Sequence, residues 1–351
     1  GNFASAIDIH SLITNAGYPH QRYRVITDDG YVLTLDRLFR PRSKRTLFLQ
    51  HGIFDSAYGW LAAGTSKSLA FRAFDAGFDV FLGNLRGTQF SRGHVEPGLS
   101  RSEYWDFCVD DHAAHDLPAF LDFIHELKQS ELQRYSANND VKSVDASEEI
   151  DIDVTCVAHS MGACCVLAHL VQAGLRGHPT GISRAILLAP AGYHVTAPLI
   201  CKLTGPLINL AVKWLPIHVL QLPFGHRVIA KLLDDVRASS GTSTLMIALL
   251  TRLLGGPTRG SVGRHPFTEI ASLSANMINA ATSARVFRQF WQCWKHGKFE
   301  AYDYGEHENQ VRYGTKTPLN YMEQYNVIDI PVTFVMGLDD RLIGPQSVIG
   351  Q

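Results

Sequence analysis

Net charge is almost absent: 32 Lys and Arg against 33 Asp and Glu leave a formal charge of −1 over 351 residues. Nucleic acid is therefore not an expected partner, because phosphate binding needs Lys and Arg in excess over part of the surface. Cysteine is scarce as well. The six, at positions 108, 156, 164, 165, 201 and 293, are too few to staple a chain of this length, and no CxxC pair marks a zinc or redox site. Most are expected as free thiols, with Cys156, Cys164 and Cys165 serving as small core residues. No Asn-X-Ser/Thr acceptor occurs, and Gly1-Asn2-Phe3 opens no basic region followed by an apolar core. No leader is legible, which leaves an intracellular protein or a removed segment as the alternatives. The one long apolar tract, Leu199 to Ile217, is interrupted by Lys202, Pro206, Lys213 and Pro216. A membrane span wants about 20 apolar residues without such breaks, so a pair of cap helices is the expectation there. Internal repeats are lacking too.

What is present is a packed globular composition, 46% apolar and 19% charged. Short apolar runs alternate with amphipathic stretches, the order of βαβ units and a mostly parallel sheet. Thr46–Gln50, Asp79–Leu82, Val154–Ala158, Arg184–Leu188 and Pro331–Met336 read as buried strands, each followed by a loop at its carboxyl end. Tyr23–Ile26 and Tyr31–Arg37 read as a hairpin turning at Asp28-Asp29-Gly30. From Asp110 to about Gln133, Leu117, Phe120, Leu121, Ile124 and Leu127 recur on one helical face, which predicts a helix lying on the sheet. Ser136–Asp153 is polar and acidic and is expected as an exposed loop. The strand rhythm stops at residue 192 and helical stretches run to 299. The expected organisation is a core over 1–191 and 300–351, with a helical cap inserted over 192–299.

Three constellations carry chemistry. Ala158-His159-Ser160-Met161-Gly162 follows a strand and opens a helix. A nucleophile elbow needs small residues two before and two after its serine, because the tight strand-to-helix turn presses those positions against neighbouring backbone. Ser160 is thus the expected nucleophile. His51-Gly52-Ile53-Phe54 follows the strand TLFLQ, where such folds place one oxyanion amide; the other comes from the residue after the nucleophile. The backbone N–H groups of Ile53 and Met161 are the expected donors. Gly337-Leu338-Asp339-Asp340 follows a late strand, where the triad acid belongs, and either aspartate suits. The histidine should follow the acid, yet all sixteen precede Asp340. His51, His159 and His194 stand near motifs but in the wrong chain order, so the triad histidine is expected beyond Gln351. Epoxide hydrolysis and dehalogenation are disfavoured, since those branches place Asp at the elbow.

Leu12–Pro19 and Thr27–Leu33, Leu49–Ile53, Ala76–Gly87, Tyr104–Phe107 and Asp116–Ala119 together resemble the signatures of the acid lipase family, which includes gastric and lysosomal acid lipases. The resemblance implies an α/β-hydrolase fold: a mostly parallel central sheet flanked by helices, with an inserted helical cap. It implies a serine ester hydrolase of neutral lipids, of the triacylglycerol lipase or sterol esterase type, with no metal and no organic cofactor. The family's acid corresponds to Asp340. Its elbow usually reads Gly-His-Ser-Gln-Gly, from which Ala158 and Met161 depart. Lysosomal, secreted or membrane-associated settings and contact of the cap with a lipid surface are compatible with the family. A catalytically incomplete lipid-binding protein of the same fold is the competing expectation.

Overall fold

A computed structural model describes residues 8–138, 150–195, 280–338, 340 and 342–351, together with 205–206, 209–211, 214–215 and 217–221. Ten strands run through these residues: β1 (His20–Ile26), β2 (Tyr31–Leu38), β3 (Arg45–Gln50), β4 (Asp79–Asn84), β5 (Gly93–His94), β6 (Asp153–His159), β7 (Arg184–Leu188), β8 (Val219–Gln221), β9 (Ala281–Ser283) and β10 (Val332–Val335). The main sheet has the order β1-β2-β4-β3-β6-β7-β10, with β5 paired to β2. The hairpin β1–β2 and the β2–β4 pair are antiparallel. From β4 through β3, β6 and β7 to β10 every pairing is parallel. All five predicted core strands are therefore present, and β8 and β9 form a separate antiparallel pair.

The central strands are buried on both faces, which is why they read as continuous apolar runs rather than alternating ones. Their side chains still divide with a period of two. Phe48, Phe81, Val154, Cys156 and Ala158 enter one core, with Leu117, Phe120 and Ile124 of the helix Leu117–Asn138 and the buried face of the helix Met161–Arg176. Leu47, Leu49, Val80, Leu82 and Val157 enter the other, against Ala70, Phe71 and Ala73 of the helix Leu69–Asp75. The expected helical face at Leu117, Phe120, Leu121 and Ile124 is fully buried, and Leu127 packs against it. The helix runs further than periodicity predicted. Val109–Asp111 and one π turn over His112–Asp116 precede it without a break.

The acidic stretch expected as one loop over 136–153 is shortened at both ends. Ser136–Asn138 completes the helix and Asp153 opens β6, while residues 139–149 lie outside the described residues. Polar composition alone misses this, because a helix already nucleated by an apolar face extends cheaply through a polar last turn. Most of the tract expected as a cap, including 222–279, also lies outside the described residues. Its last helix, Ala284–His296, is fastened to the core. Gln289 Oε1 accepts from Val109 N at 2.9 Å, its Nε2 donates to Asp110 Oδ1 at 2.8 Å, and Ser283 Oγ donates to the Trp105 carbonyl at 2.7 Å. Cys108, Cys156, Cys164, Cys165 and Cys293 are buried free thiols. No described helix is long and apolar enough to cross a membrane.

A buried ion cluster ties the antiparallel end of the sheet to the long helix. Arg86, 2% exposed, donates from Nη1 and Nη2 to both carboxylate oxygens of Asp29 at 2.6 and 2.9 Å. Its Nε donates to Asp116 Oδ1 at 2.7 Å and its backbone N–H to Asp116 Oδ2 at 3.1 Å. The guanidinium also lies 3.8 Å from the centre of the Tyr31 ring. At Gly87, with φ of +82°, a Cβ would stand 2.7 Å from Trp105 and 3.0 Å from Phe107. The segments around Arg86, Trp105 and Asp116, separate in sequence, are thus one knot in space.

Replacing Arg86 by Ala leaves Asp116 buried without its cation, which is expected to cost about 3–5 kcal/mol in urea unfolding. The same cluster sets an acid limit. Burial alone would raise Asp29 and Asp116, but Arg86 overrules it and holds both below the usual carboxylate value of 3.8. A folded pKa below the unfolded one stabilises above the unfolded value and loses that contribution as pH falls through the folded value. The unfolding free energy of the natural protein should therefore drop steeply below about pH 4, and that of Arg86→Ala more shallowly.

Candidate active site

The three motifs singled out in the sequence lie in loops at the carboxyl ends of β3, β6 and β10. Ser160 sits between β6 and the helix Met161–Arg176 at φ 53° and ψ −118°. For a non-glycine residue that is a strained conformation, of order 1–3 kcal/mol, and it persists only when neighbours enforce it. They do so here. The Ser160 N–H donates to the Leu188 carbonyl at 2.9 Å, and the Ser160 carbonyl accepts from Ala191 at 3.3 Å. Gly162 is the steric key. A Cβ there would stand 2.3 Å from the His51 carbonyl oxygen and 3.0 Å from Gln50, a distance that no side chain tolerates. Ala158, two residues before the serine, is fully buried, so a small side chain also suits that position.

The same close approach brings the β3 loop to the serine. A Cβ on Gly52 would lie 3.0 Å from Ser160 Cβ and 3.2 Å from His159 Nδ1. Gly52 therefore adjoins Ser160 through bare backbone, and Ile53 follows it, half-buried. Met161 opens its helix, so its N–H is one of the first-turn donors that an α-helix leaves without an internal partner. Both amides proposed from sequence thus belong to segments that flank Ser160.

Asp340 lies after β10, which pairs in parallel with β7, itself the neighbour of β6. Its Oδ1 accepts from Leu342 N at 2.8 Å and Ile343 N at 2.9 Å, so one carboxylate oxygen is fixed by the turn. Its charge reaches the elbow. His159 keeps an exposed side chain; partial desolvation by the surrounding protein lowers its pKa, and the Asp340 carboxylate acts in the opposite direction on the same ring. Asp339 lies outside the described residues.

The histidines near the motifs separate clearly. His51 is 1% exposed, with Nδ1 2.8 Å from the Gly52 carbonyl and Nε2 accepting from Leu85 N at 3.2 Å. His194 is half-buried, with a pKa lowered by desolvation to about 4, and its ring stands edge-on to Phe290. His112, which sequence reasoning passed over, pairs through Nδ1 with Asp116 Oδ2 at 2.9 Å. Its spacing of four from Asp116 was the available signal, and only the π turn shows that both face the cluster at Arg86.

Two family profiles match the chain: "Partial alpha/beta-hydrolase lipase region" over residues 9–64 and "alpha/beta hydrolase fold" over residues 45–216. Similarity to individual proteins extends further. Gastric triacylglycerol lipase of Homo sapiens is 28% identical over 355 residues, covering 97% of this chain and 80% of that protein. Triacylglycerol lipase 1 of Arabidopsis thaliana is 27% identical, covering 94% of this chain and 77% of that protein. Lipase member K of Homo sapiens reaches 40% identity, but over 127 residues, 34% of this chain and 32% of its own. With the parallel sheet and these matches in hand, the chain has the α/β-hydrolase fold and is acid-lipase-like over nearly its whole length.

Proposed function

We propose that this protein hydrolyses neutral lipid esters, of the triacylglycerol or sterol ester type, through an acyl-enzyme on Ser160. The observation that carries the reading is the strained elbow: Ser160 at φ 53°, with Gly52 packed against it on one side and a helix N-terminus on the other. In the first step the Ser160 hydroxyl oxygen bonds to the ester carbonyl carbon while its proton passes to an imidazole. Asp340 orients that imidazole and stabilises its cation. The carbonyl oxygen becomes an oxyanion between the N–H groups of Ile53 and Met161, each worth roughly 3 kcal/mol of barrier. Collapse breaks the bond to the alcohol, which leaves with the proton. Water then repeats the sequence on the acyl-serine and releases the fatty acid. The similarity to triacylglycerol lipases over 94–97% of the chain supports the substrate class.

The proposed organisation is a catalytic core over 1–191 and 300–351, with a cap over 192–299 that covers the acyl chain. Within that tract Leu210, Trp214 and Leu215 are 54%, 72% and 55% exposed, apolar surface suited to a lipid interface.

A fluorophosphonate probe should label the folded full-length protein at Ser160, and Ser160→Ala should abolish both labelling and ester turnover. Intact labelling of that variant would sink the acyl-enzyme. Asp340→Asn preserves shape but removes the charge that orients the imidazole, and kcat should fall by about 10⁴-fold. Gly162→Ala is expected to cost about 1–3 kcal/mol in stability, since its methyl must displace the His51 carbonyl. Probe labelling of that variant, measured on the folded fraction, should slow in parallel.

A further inference from the structure

We infer that His51 is a positioning residue of the oxyanion hole, whose imidazole holds the Gly52–Ile53 peptide with the Ile53 N–H turned toward Ser160. The inference rests on the acyl-enzyme reading above and adds to it the group that aims one of its two donors.

Both ring nitrogens of His51 are committed to backbone. Leu85 N stands 3.2 Å from Nε2, and a backbone N–H can only donate, so Nε2 is the acceptor. The single proton of a neutral imidazole then resides on Nδ1, which donates to the Gly52 carbonyl at 2.8 Å. Burial supports the neutral form, pushing the pKa down to about 4.

The Gly52 carbonyl and the Ile53 N–H belong to one planar trans peptide and point in opposite directions. A donor that grips the oxygen therefore fixes the direction of the N–H. The bond also polarises the peptide and makes its N–H a better donor. The place is right, because Gly52 abuts Ser160 with only 3.0 Å between a virtual Cβ and the serine Cβ. The loop also needs a hold: Phe54, two residues on, has φ of 55°, an unfavourable value for an aromatic residue.

The anchor at the far side of the ring is rigid. Leu85 immediately precedes Arg86, whose backbone and side chain are both bound to Asp116. The orientation of the oxyanion amide is thereby referred, through one imidazole, to the buried ion cluster. His51 is 1% exposed and does not meet substrate, so its action on the reaction is through the peptide.

The two ring functions can be separated by substitution in the full-length protein. His51→Asn places an amide N–H at the δ position, where it can still donate to Gly52. His51→Gln places a carbonyl at the ε position, where it can accept from Leu85 but leaves Gly52 ungripped. His51→Phe keeps the volume and neither bond. Steady-state kinetics on a soluble p-nitrophenyl ester, fluorophosphonate labelling rates per folded molecule, and thermal melting are measured for each. The expected result is a fall in kcat of about 10²-fold in the Gln and Phe proteins, with KM within a few-fold, and recovery of about tenfold in the Asn protein. Labelling rates should follow kcat and not the order of melting temperatures. The inference is overturned if all three variants keep the natural kcat. It is equally overturned if Gln outperforms Asn, which would make the Leu85 bond and local packing the whole role. A Ser160→Ala control separates the two levels: turnover surviving there overturns the acyl-enzyme reading itself, whereas loss there beside normal His51 variants overturns this inference alone.

Discussion

The site depends on a guanidinium held out of water. Arg86 directs its donors to Asp29 in the hairpin turn and to Asp116 in the π turn that leads into the long helix, with Tyr31 against its face. Burying such a cation is tolerable only when its partners are complete. That demand fixes where the hairpin, the end of β4 and the long helix stand relative to one another. From the end of β4 the constraint passes to the active site in two hydrogen bonds, Leu85 to His51 and His51 to Gly52. The ion cluster on the antiparallel side of the sheet and the loop beside Ser160 are thereby linked through two hydrogen bonds.

Steric exclusion does the remainder. The loop after β3 and the turn at Ser160 approach until no Cβ fits at Gly162 and barely one at Gly52. Strain in the Ser160 backbone is the counterpart of that approach, since the turn must lift the serine clear of the strand while its helix starts at once. Such a turn stays in place because both flanking elements are buried in the cores, β6 from Val154 to Ala158 and the helix along Met161 to Val171.

Specific departures from the family's usual elbow acquire meaning in this setting. Met161 is buried, so its side chain belongs to the core, while the donor proposed there is its backbone N–H, which does not depend on the side chain's identity. Ala158 sits in the interior of a strand end paired with Gln50 and Leu187, where a methyl is accommodated. Gly162 has no such latitude.

The core strands were legible in the sequence as apolar runs, and the residues proposed for the site stood out as local patterns: a small-X-Ser-X-small turn at Ser160, a glycine after a strand at Gly52, an aspartate after a late strand at Asp340. The helix limits and the extent of the acidic loop were less so, since composition does not mark where an established helix stops. Only the tertiary structure decided what His51, His112 and Arg86 touch. Their partners, Leu85, Asp116 and Asp29, are supplied by other elements, and no spacing along the chain encodes a hydrogen bond between a loop after β3 and the end of β4. A histidine beside a glycine can be ligand, base or brace, and its role follows from what stands at each ring nitrogen, which is a property of the fold alone.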